Sequence, residues 1–425
     1  MRDAWRRLGA GAAVGLAATL GLGPIVIDAP PARADQVRDL EYWLNDYGFT
    51  EAWGTSKGAG VKVAIIDTGV DGSLPDLVGA VVGGTDVSGI GSPNGQAPVG
   101  EGSNHGTLVA SLLAGRGSEG DAGIIGVAPE ASILSISLAF GSSGATVSND
   151  DQIAKGIRWA VDNGASVINM SLTRNTLDWP ESWDSAFLYA FEHDVVVVAA
   201  AGNRRSGTVE VGAPATIPGV LTVAGVNRNK SASFDASSQG ITISVAAPSE
   251  KLVGPLPGGG YVQWDGTSAA APIVSGLVAL VRSAYPNLDA ASVINRVIAT
   301  ADPNGHDVPS PIYGHGLIDA AAAVTAYVPP AAGPTPAALL KDWIHLHRRV
   351  DVKPTSAPTP TAAAPVAPRA DPDLPPGNKA SAWLPSRHTL THVSIPLAVL
   401  LGFGILVTLF GTGATRHFRR MRRES

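Results

Sequence analysis

The 425-residue sequence predicts an α/β fold, a mainly parallel central sheet with helices on both faces, followed by one C-terminal transmembrane helix. Three observations carry this expectation. Short Val/Ile-rich runs recur between Val61 and Val226, with the length and composition of strands buried on both faces. Helical patterns alternate with them, the order that builds a parallel sheet. Near the far end, "SIPLAVLLGFGILVTLFGTG" (394–413) has no charged residue and is about 20 residues long, enough to cross a hydrocarbon core.

The elements follow in order along the chain. Residues 1–34 open with Arg2, Arg6 and Arg7, pass through an Ala/Gly/Leu-rich stretch from Leu8 to Ile27, and end in Ala32-Arg33-Ala34, a small-x-small cleavage site. This is the pattern of a secretory signal peptide, with Asp35 as the mature start. Residues 35–60 form an N-terminal extension too short to build a core of its own. Residues 61–327 carry the globular domain, long enough for one large α/β unit. Its strands are expected at "VKVAIID" (61–67), "SILSISL" (132–138), "SVINMSL" (166–172), "VVVVAAAG" (195–202) and "VLTVAGV" (220–226). Its helices are expected at "HGTLVASLLAG", "DDQIAKGIRWAVDNG", "SWDSAFLYAFEHD" and "SAAAPIVSGLVALVRSAYP".

From Val328 the composition turns to Pro, Ala and Thr, so 328–393 is expected to be an extended stalk. The part from Pro354 to Pro376 alone could reach roughly 70 Å at about 3.1 Å per residue. Within the stalk, "KDWIHLHRRV" could form a short helix or dock on a partner, with its two histidines solvated rather than metal-bound. After the transmembrane helix at 394–413, the tail 414–425 holds Arg416, Arg419, Arg420, Arg422 and Arg423, a cluster that stays on the cytoplasmic side. The bulk of the protein is therefore expected outside the plasma membrane, held by a single pass.

Composition narrows the chemistry. The chain has no cysteine, so neither disulfides nor thiolate metal sites contribute. A net charge of −6 and a pI near 5.8 provide no basic field for nucleic acid. No acidic run resembles a calcium loop, so no metal is expected. "GGTDVSGIGSPNG" is glycine-rich but does not join a strand to a helix as a nucleotide loop must, and no cofactor is expected.

In open α/β sheets chemistry gathers outside the carboxyl ends of the strands. Asp67 ends the first strand, Asn203 follows "VVVVAAAG", and His105 and Ser268 each open a helix. A serine hydroxyl becomes a nucleophile when a neighbouring imidazole takes its proton, and a carboxylate holds that imidazole in the right tautomer. Asp67, His105 and Ser268 supply these three groups, in "AIIDTGVD", "NHGTLVAS" and "DGTSAAAP". At the first turn of a helix, the Ser268 N–H is also an orphan donor able to meet a developing oxyanion.

With these motifs, in the order Asp, His, Ser, the sequence resembles the subtilisin-like serine peptidases from about Val61 to Val324. "GVAPEASILSIS", "VINMSL", "VVVVAAAGN", "VAAPSE" and "YGHGLIDAAAAV" extend the resemblance. It implies a subtilisin-like fold and a serine endopeptidase that binds polypeptide as an added strand. It implies that the Asn203 amide is the second oxyanion donor beside Ser268. It places substrate against "GSSG" (141–144), through Ser143 and Gly144, and against "SLT" (171–173), through Ser171 and Leu172. "AAAG", with Ala201 and Gly202, forms one wall of the specificity pocket. Thr173 and Arg174 stand where the family often has glycines, Leu108 where many relatives have a second histidine, and Ala269 where methionine is common. Arg204 and Arg205 are expected to stand either near the edge of that pocket or in water, with water favoured.

The short extension, signal peptide, stalk, anchor and basic tail together resemble the mycosins, membrane-anchored peptidases of type VII secretion systems. "DLEYWLNDYGFTEAWGTSKGAGVKVAIIDTGVD" fits the start of their domain. The missing cysteines and short loops depart from that subgroup. The resemblance implies secretion-complex components as partners besides the polypeptide substrates. Three roles are open: a peptidase processing exported proteins, a scaffold of the secretion complex with catalysis secondary, and a surface-tethered degradative protease. The complete Asp-His-Ser set favours the first over the second.

Overall fold

A computed structural model describes residues 36–348 except 101, 120, 121, 142 and 143. These belong to the first of two units, Met1–Val352; the second, Lys353–Ser425, falls outside the described residues. The expected signal peptide, transmembrane helix and basic tail lie outside them too.

The strands are β1 (Lys62–Asp67), β2 (Val81–Asp86), β3 (Arg116–Ser118), β4 (Ala122–Ile125), β5 (Ser132–Ser137), β6 (Val167–Met170), β7 (Val196–Ala200), β8 (Leu221–Val226), β9 (Ile243–Pro248), β10 (Leu252–Pro255) and β11 (Tyr261–Trp264). The helices are α1 (Val37–Leu40), α2 (Tyr42–Asp46), α3 (Phe49–Ala52), α4 (His105–Ala114), α5 (Asn149–Asp162), α6 (Glu181–Glu192), α7 (Thr267–Ala284), α8 (Ala290–Ala299), α9 (Ala320–Thr325) and α10 (Pro336–His347). Seven strands form one sheet in the order β2-β5-β1-β6-β7-β8-β9, parallel throughout, while β3–β4 and β10–β11 are small antiparallel pairs.

The central strands read as they pack. In β1 only Lys62 is exposed, and every residue of β6, β7 and β8 is buried, as strands covered on both faces must be. In α5, Ile153, Gly156, Ile157 and Ala160 are buried at helical spacing, and Ser148 caps the start by accepting from Asp151 N–H. α5 packs on α6, and α4 packs on α7, which also touches β6 through β9. α7 is apolar and long enough to cross a membrane by composition, but its residues are almost all buried as the central core helix.

Two sheet strands, β2 and β9, are absent from the expected set. Gly83 and Gly84 dilute the apolar pattern of β2, and the backbone needs that bareness, since a Cβ at Gly84 would stand 2.2 Å from the Asn94 carbonyl oxygen.

The N-terminal extension packs into the domain. Val37, Trp43 and Phe49 are fully buried, and Trp53 Nε1 donates to the Val127 carbonyl at 2.9 Å. Beside them sits a buried acidic pair. Glu41, 1% exposed, accepts from Ile125 N–H at 2.9 Å. Asp76 accepts from Ile124 N–H at 2.7 Å and from the Tyr261 hydroxyl at 3.0 and 2.9 Å. Burial pushes the Glu41 carboxyl up to about 8, and the charge of Asp76 adds to the rise, against the pull of the Ile125 bond and Arg38.

The stalk boundary requires correction. Pro336–His347 is a helix with Thr335 as its cap, accepting from Ala338 N–H at 3.3 Å. It packs on α6: Leu340 is fully buried, the Trp343 ring lies 4.1 Å from that of Trp179, and Arg348 Nε donates to Asp184 at 3.0 Å. The domain therefore continues to Arg348 rather than ending at Tyr327. A short helix was expected within "KDWIHLHRRV"; its start at Thr335-Pro336 and the spacing of Leu340, Trp343 and Ile344 also mark a face to bury, which the surrounding prolines masked as part of a stalk. His345 and His347 are exposed, and His347 stacks on Trp343 at 4.7 Å.

Candidate active site

β1 ends at Asp67 in the middle of the sheet, and the chain returns from β2 to begin α4 at His105 directly above it. His105 Nδ1 lies 2.8 and 2.9 Å from the two Asp67 carboxylate oxygens, with both residues buried. Asp67 also accepts from Thr68 N–H at 2.7 Å. The close approach depends on glycine: a Cβ at Gly106 would stand 2.3 Å from the Gly69 carbonyl oxygen. Instead Gly106 N–H donates to Thr68 Oγ1 at 3.0 Å and ties the start of α4 to the turn after β1. The Trp264 ring meets the imidazole edge-on, 5.7 Å between centroids.

Ser268 is the second residue of α7, after Gly266 at φ 144°, a conformation that favours glycine. Its setting follows from a proline. Pro272 has no N–H, so the Ser268 carbonyl, four residues earlier, has no helical donor. That carbonyl accepts from the Ser171 hydroxyl at 2.8 Å, while Ser268 Oγ donates to the Ser171 carbonyl at 3.2 Å. Ser171 is held in turn by Asn169 Nδ2 at 3.0 Å, and Asn169 Oδ1 accepts from Ser275 at 2.9 Å. Among the described residues no hydrogen bond joins Ser268 to His105.

Asn203 follows β7. Its Oδ1 accepts from Thr267 N–H at 2.8 Å and Thr267 Oγ1 at 3.0 Å, which leaves the amide N–H groups as the donors of this side chain. Thr267 Oγ1 accepts from Gly202 N–H at 3.1 Å. Ser171, Leu172, Ala201 and Gly202 thus flank Ser268 from the ends of β6 and β7. Gly144 has φ +81° and open space around it; Ser143 lies outside the described residues. Arg205 is exposed and 3.4 Å from Asp235, and Arg204 lies 4.7 Å over the Phe234 ring. Thr267, Pro272 and Asn169 were not singled out in the sequence. A proline inside an apolar helix and an asparagine inside an apolar strand are the signals that could have found two of them.

Comparison with known proteins agrees with this geometry. A model described as the subtilase family matches residues 58–316. Subtilisin DY of Bacillus licheniformis is 40% identical over 270 residues, 63% of this chain and 92% of that protein. Among solved structures, fervidolysin of Fervidobacterium pennivorans, a keratinolytic enzyme related to subtilisin, matches with TM-score 0.60 and 30% identity over 70% of this chain and 48% of that one. The match thus spans about half of fervidolysin's length. The MycP3 protease from the type VII (ESX-3) secretion system matches with TM-score 0.58 and 32% identity over 71% of this chain and 90% of that one. The chain belongs to the subtilase family and is a subtilisin-like serine endopeptidase.

Proposed function

We propose that the protein is a membrane-anchored, extracytoplasmic endopeptidase that uses Asp67, His105 and Ser268 to process exported proteins of a type VII secretion system. The observation that carries the catalytic part is the contact of His105 Nδ1 with both oxygens of a buried Asp67, across the strand ends from Ser268. With Nδ1–H donating to the carboxylate, Nε2 is left as the base. Ser268 Oγ turns from the Ser171 carbonyl toward Nε2, gives up its proton and attacks the scissile carbonyl. Negative charge on the carbonyl oxygen is met by Ser268 N–H and the Asn203 amide, both fixed before substrate arrives. His105 then protonates the leaving amine, and water releases the acyl group by the reverse sequence. Gly144 and Ser143 on one side and Ser171 and Leu172 on the other hold the substrate strand.

The cellular part rests on the likeness to the MycP3 protease and on the sequence. The signal-like segment 1–34, the uncharged stretch 394–413 and the arginines of 414–425 would leave the domain outside and the tail in the cytoplasm. Segments 35–60 and 349–393 serve as extension and stalk.

Ser268→Ala tests the catalytic reading, since it removes the hydroxyl and leaves a good helix former. Hydrolysis of a peptide library should disappear with the unfolding midpoint retained, whereas unchanged cleavage would refute the assignment. Complementing a deletion strain with the same variant, and assaying export, separates processing from scaffolding: restored export would favour the scaffold.

A further inference from the structure

The crevice beside Ser268 has two walls and a floor. One wall is Ser171, Leu172 and Thr173, fixed to α7 by the paired Ser171–Ser268 bonds. The other is Ala201 and Gly202, fixed by the Gly202–Thr267 bond. Beneath them runs the segment 212–213. Gly212 N–H donates to the Ala201 carbonyl at 3.4 Å, Arg174 N–H to the Ala213 carbonyl at 2.7 Å, and Ala213 N–H to the Thr176 carbonyl at 2.9 Å. These bonds draw both walls onto one floor.

The floor is full. A Cβ at Gly212 would stand 1.8 Å from the Arg174 carbonyl oxygen and 2.7 Å from Thr173 Oγ1. Thr173 is itself buried, and its hydroxyl donates to the Arg174 carbonyl at 3.2 Å. Behind the opposite wall, a Cβ at Gly202 would meet Thr208 Cγ2 at 2.6 Å and Ser238 Oγ at 2.9 Å. Arg174 brings no charge into the crevice, because its guanidinium binds Asp150 and lies 5.6 Å over the Trp183 ring.

We infer that Thr173 makes this crevice a shallow, uncharged pocket, so that the enzyme cleaves after glycine, alanine or serine and excludes aromatic and long side chains on the acyl side of the scissile bond. The inference rests on Ser268 being the nucleophile. The acyl-side residue presents its carbonyl to Ser268 N–H and Asn203, and its side chain then enters between the walls. A β-branched residue standing against the floor, bonded in place, cannot swing aside as a long flexible one would. Glycine at position 173 would leave that volume empty.

The test uses the full-length chain in detergent with peptides that differ only in alanine or phenylalanine on the acyl side. The native enzyme should favour alanine in kcat/KM by about 10-fold or more, and Thr173→Gly should move the ratio toward phenylalanine by at least about 10-fold, through a lower KM for the phenylalanine peptide. Thr173→Val, which keeps the bulk and loses the hydroxyl, should retain the alanine preference. If the glycine variant unfolds, Thr173→Ser supplies the smaller side chain and should shift the ratio in the same direction. A native preference for phenylalanine, or a ratio that ignores position 173, would overturn the inference. Hydrolysis by Ser268→Ala would instead overturn the nucleophile assignment, so the two failures are distinguishable.

Discussion

Replacing Glu41 by glutamine should abolish a large part of the pH dependence of folding stability. The carboxyl is buried beside Asp76, one oxygen held by Ile125 N–H and the other without a hydrogen-bond partner, with Arg38 at 3.8 Å. Burial raises it from an ordinary 4.5 to about 8. Between these values the native state keeps a proton that the unfolded chain has released. Stability from this group is therefore complete below about 4.5, falls as pH rises, and is exhausted once pH passes about 8. At about 1.4 kcal/mol per pH unit, the whole interval corresponds to roughly 5 kcal/mol. Glutamine has the same shape, can accept from Ile125 and cannot ionise, so the variant should match the native protein near pH 5 and exceed it at pH 8. The assay is guanidinium unfolding from pH 5 to 8.5, with Ser268→Ala in both chains to prevent self-digestion. Parallel stability curves, or a glutamine variant that is weaker at pH 8, would refute the reasoning.

Other expected outcomes follow from packing. Gly106→Ala should lower kcat by about 100-fold while changing KM little, because the added methyl pushes His105 away from the turn after β1; steady-state kinetics with an unchanged kcat would contradict this. Pro272→Ala restores an N–H that competes with Ser171 for the Ser268 carbonyl, and should lower kcat/KM by about 10-fold, the effect of about one weakened hydrogen bond; unaltered kinetics would show that the cross-bond is dispensable. Cutting the chain after Arg348 should leave the unfolding midpoint intact, whereas cutting after Pro330 removes the buried Leu340 and the Trp343–Trp179 contact and should cost about 2–4 kcal/mol; equal midpoints would refute the revised boundary. Mild peroxide should spare activity, since Ala269 cannot oxidise and Met170 is fully buried; rapid loss traced to the active site would refute it.

What the sequence made legible was whatever local pattern could carry. Asp67, His105, Asn203 and Ser268 stand out because each is polar at the end of an apolar run, where a parallel sheet concentrates its chemistry. β2 was hidden because its glycines serve a close approach of two backbones rather than a strand pattern. The role of Pro272 was hidden for a different reason: in isolation a proline reads as a helix fault, and its use appears only when Ser171 arrives from a strand about a hundred residues earlier to take the carbonyl it frees. The close approach of Gly212 to Thr173 and Arg174 is likewise a meeting of distant segments, which no local motif records.

The bonds that seat Ser268 have one further property. Ser171, Asn169, Ser275, Thr267, Asn203 and Gly202 contribute only hydroxyls, amides and peptide groups to them, and none of these gains or loses a proton across the range in which a protein stays folded. The seat of the serine is thus electrically silent. Raising the pH ionises the buried Glu41 carboxyl and weakens the fold as a whole without rearranging the groups that hold Ser268. Catalytic output and global endurance are therefore wired to separate protons, and each can be tuned by substitution without resetting the other.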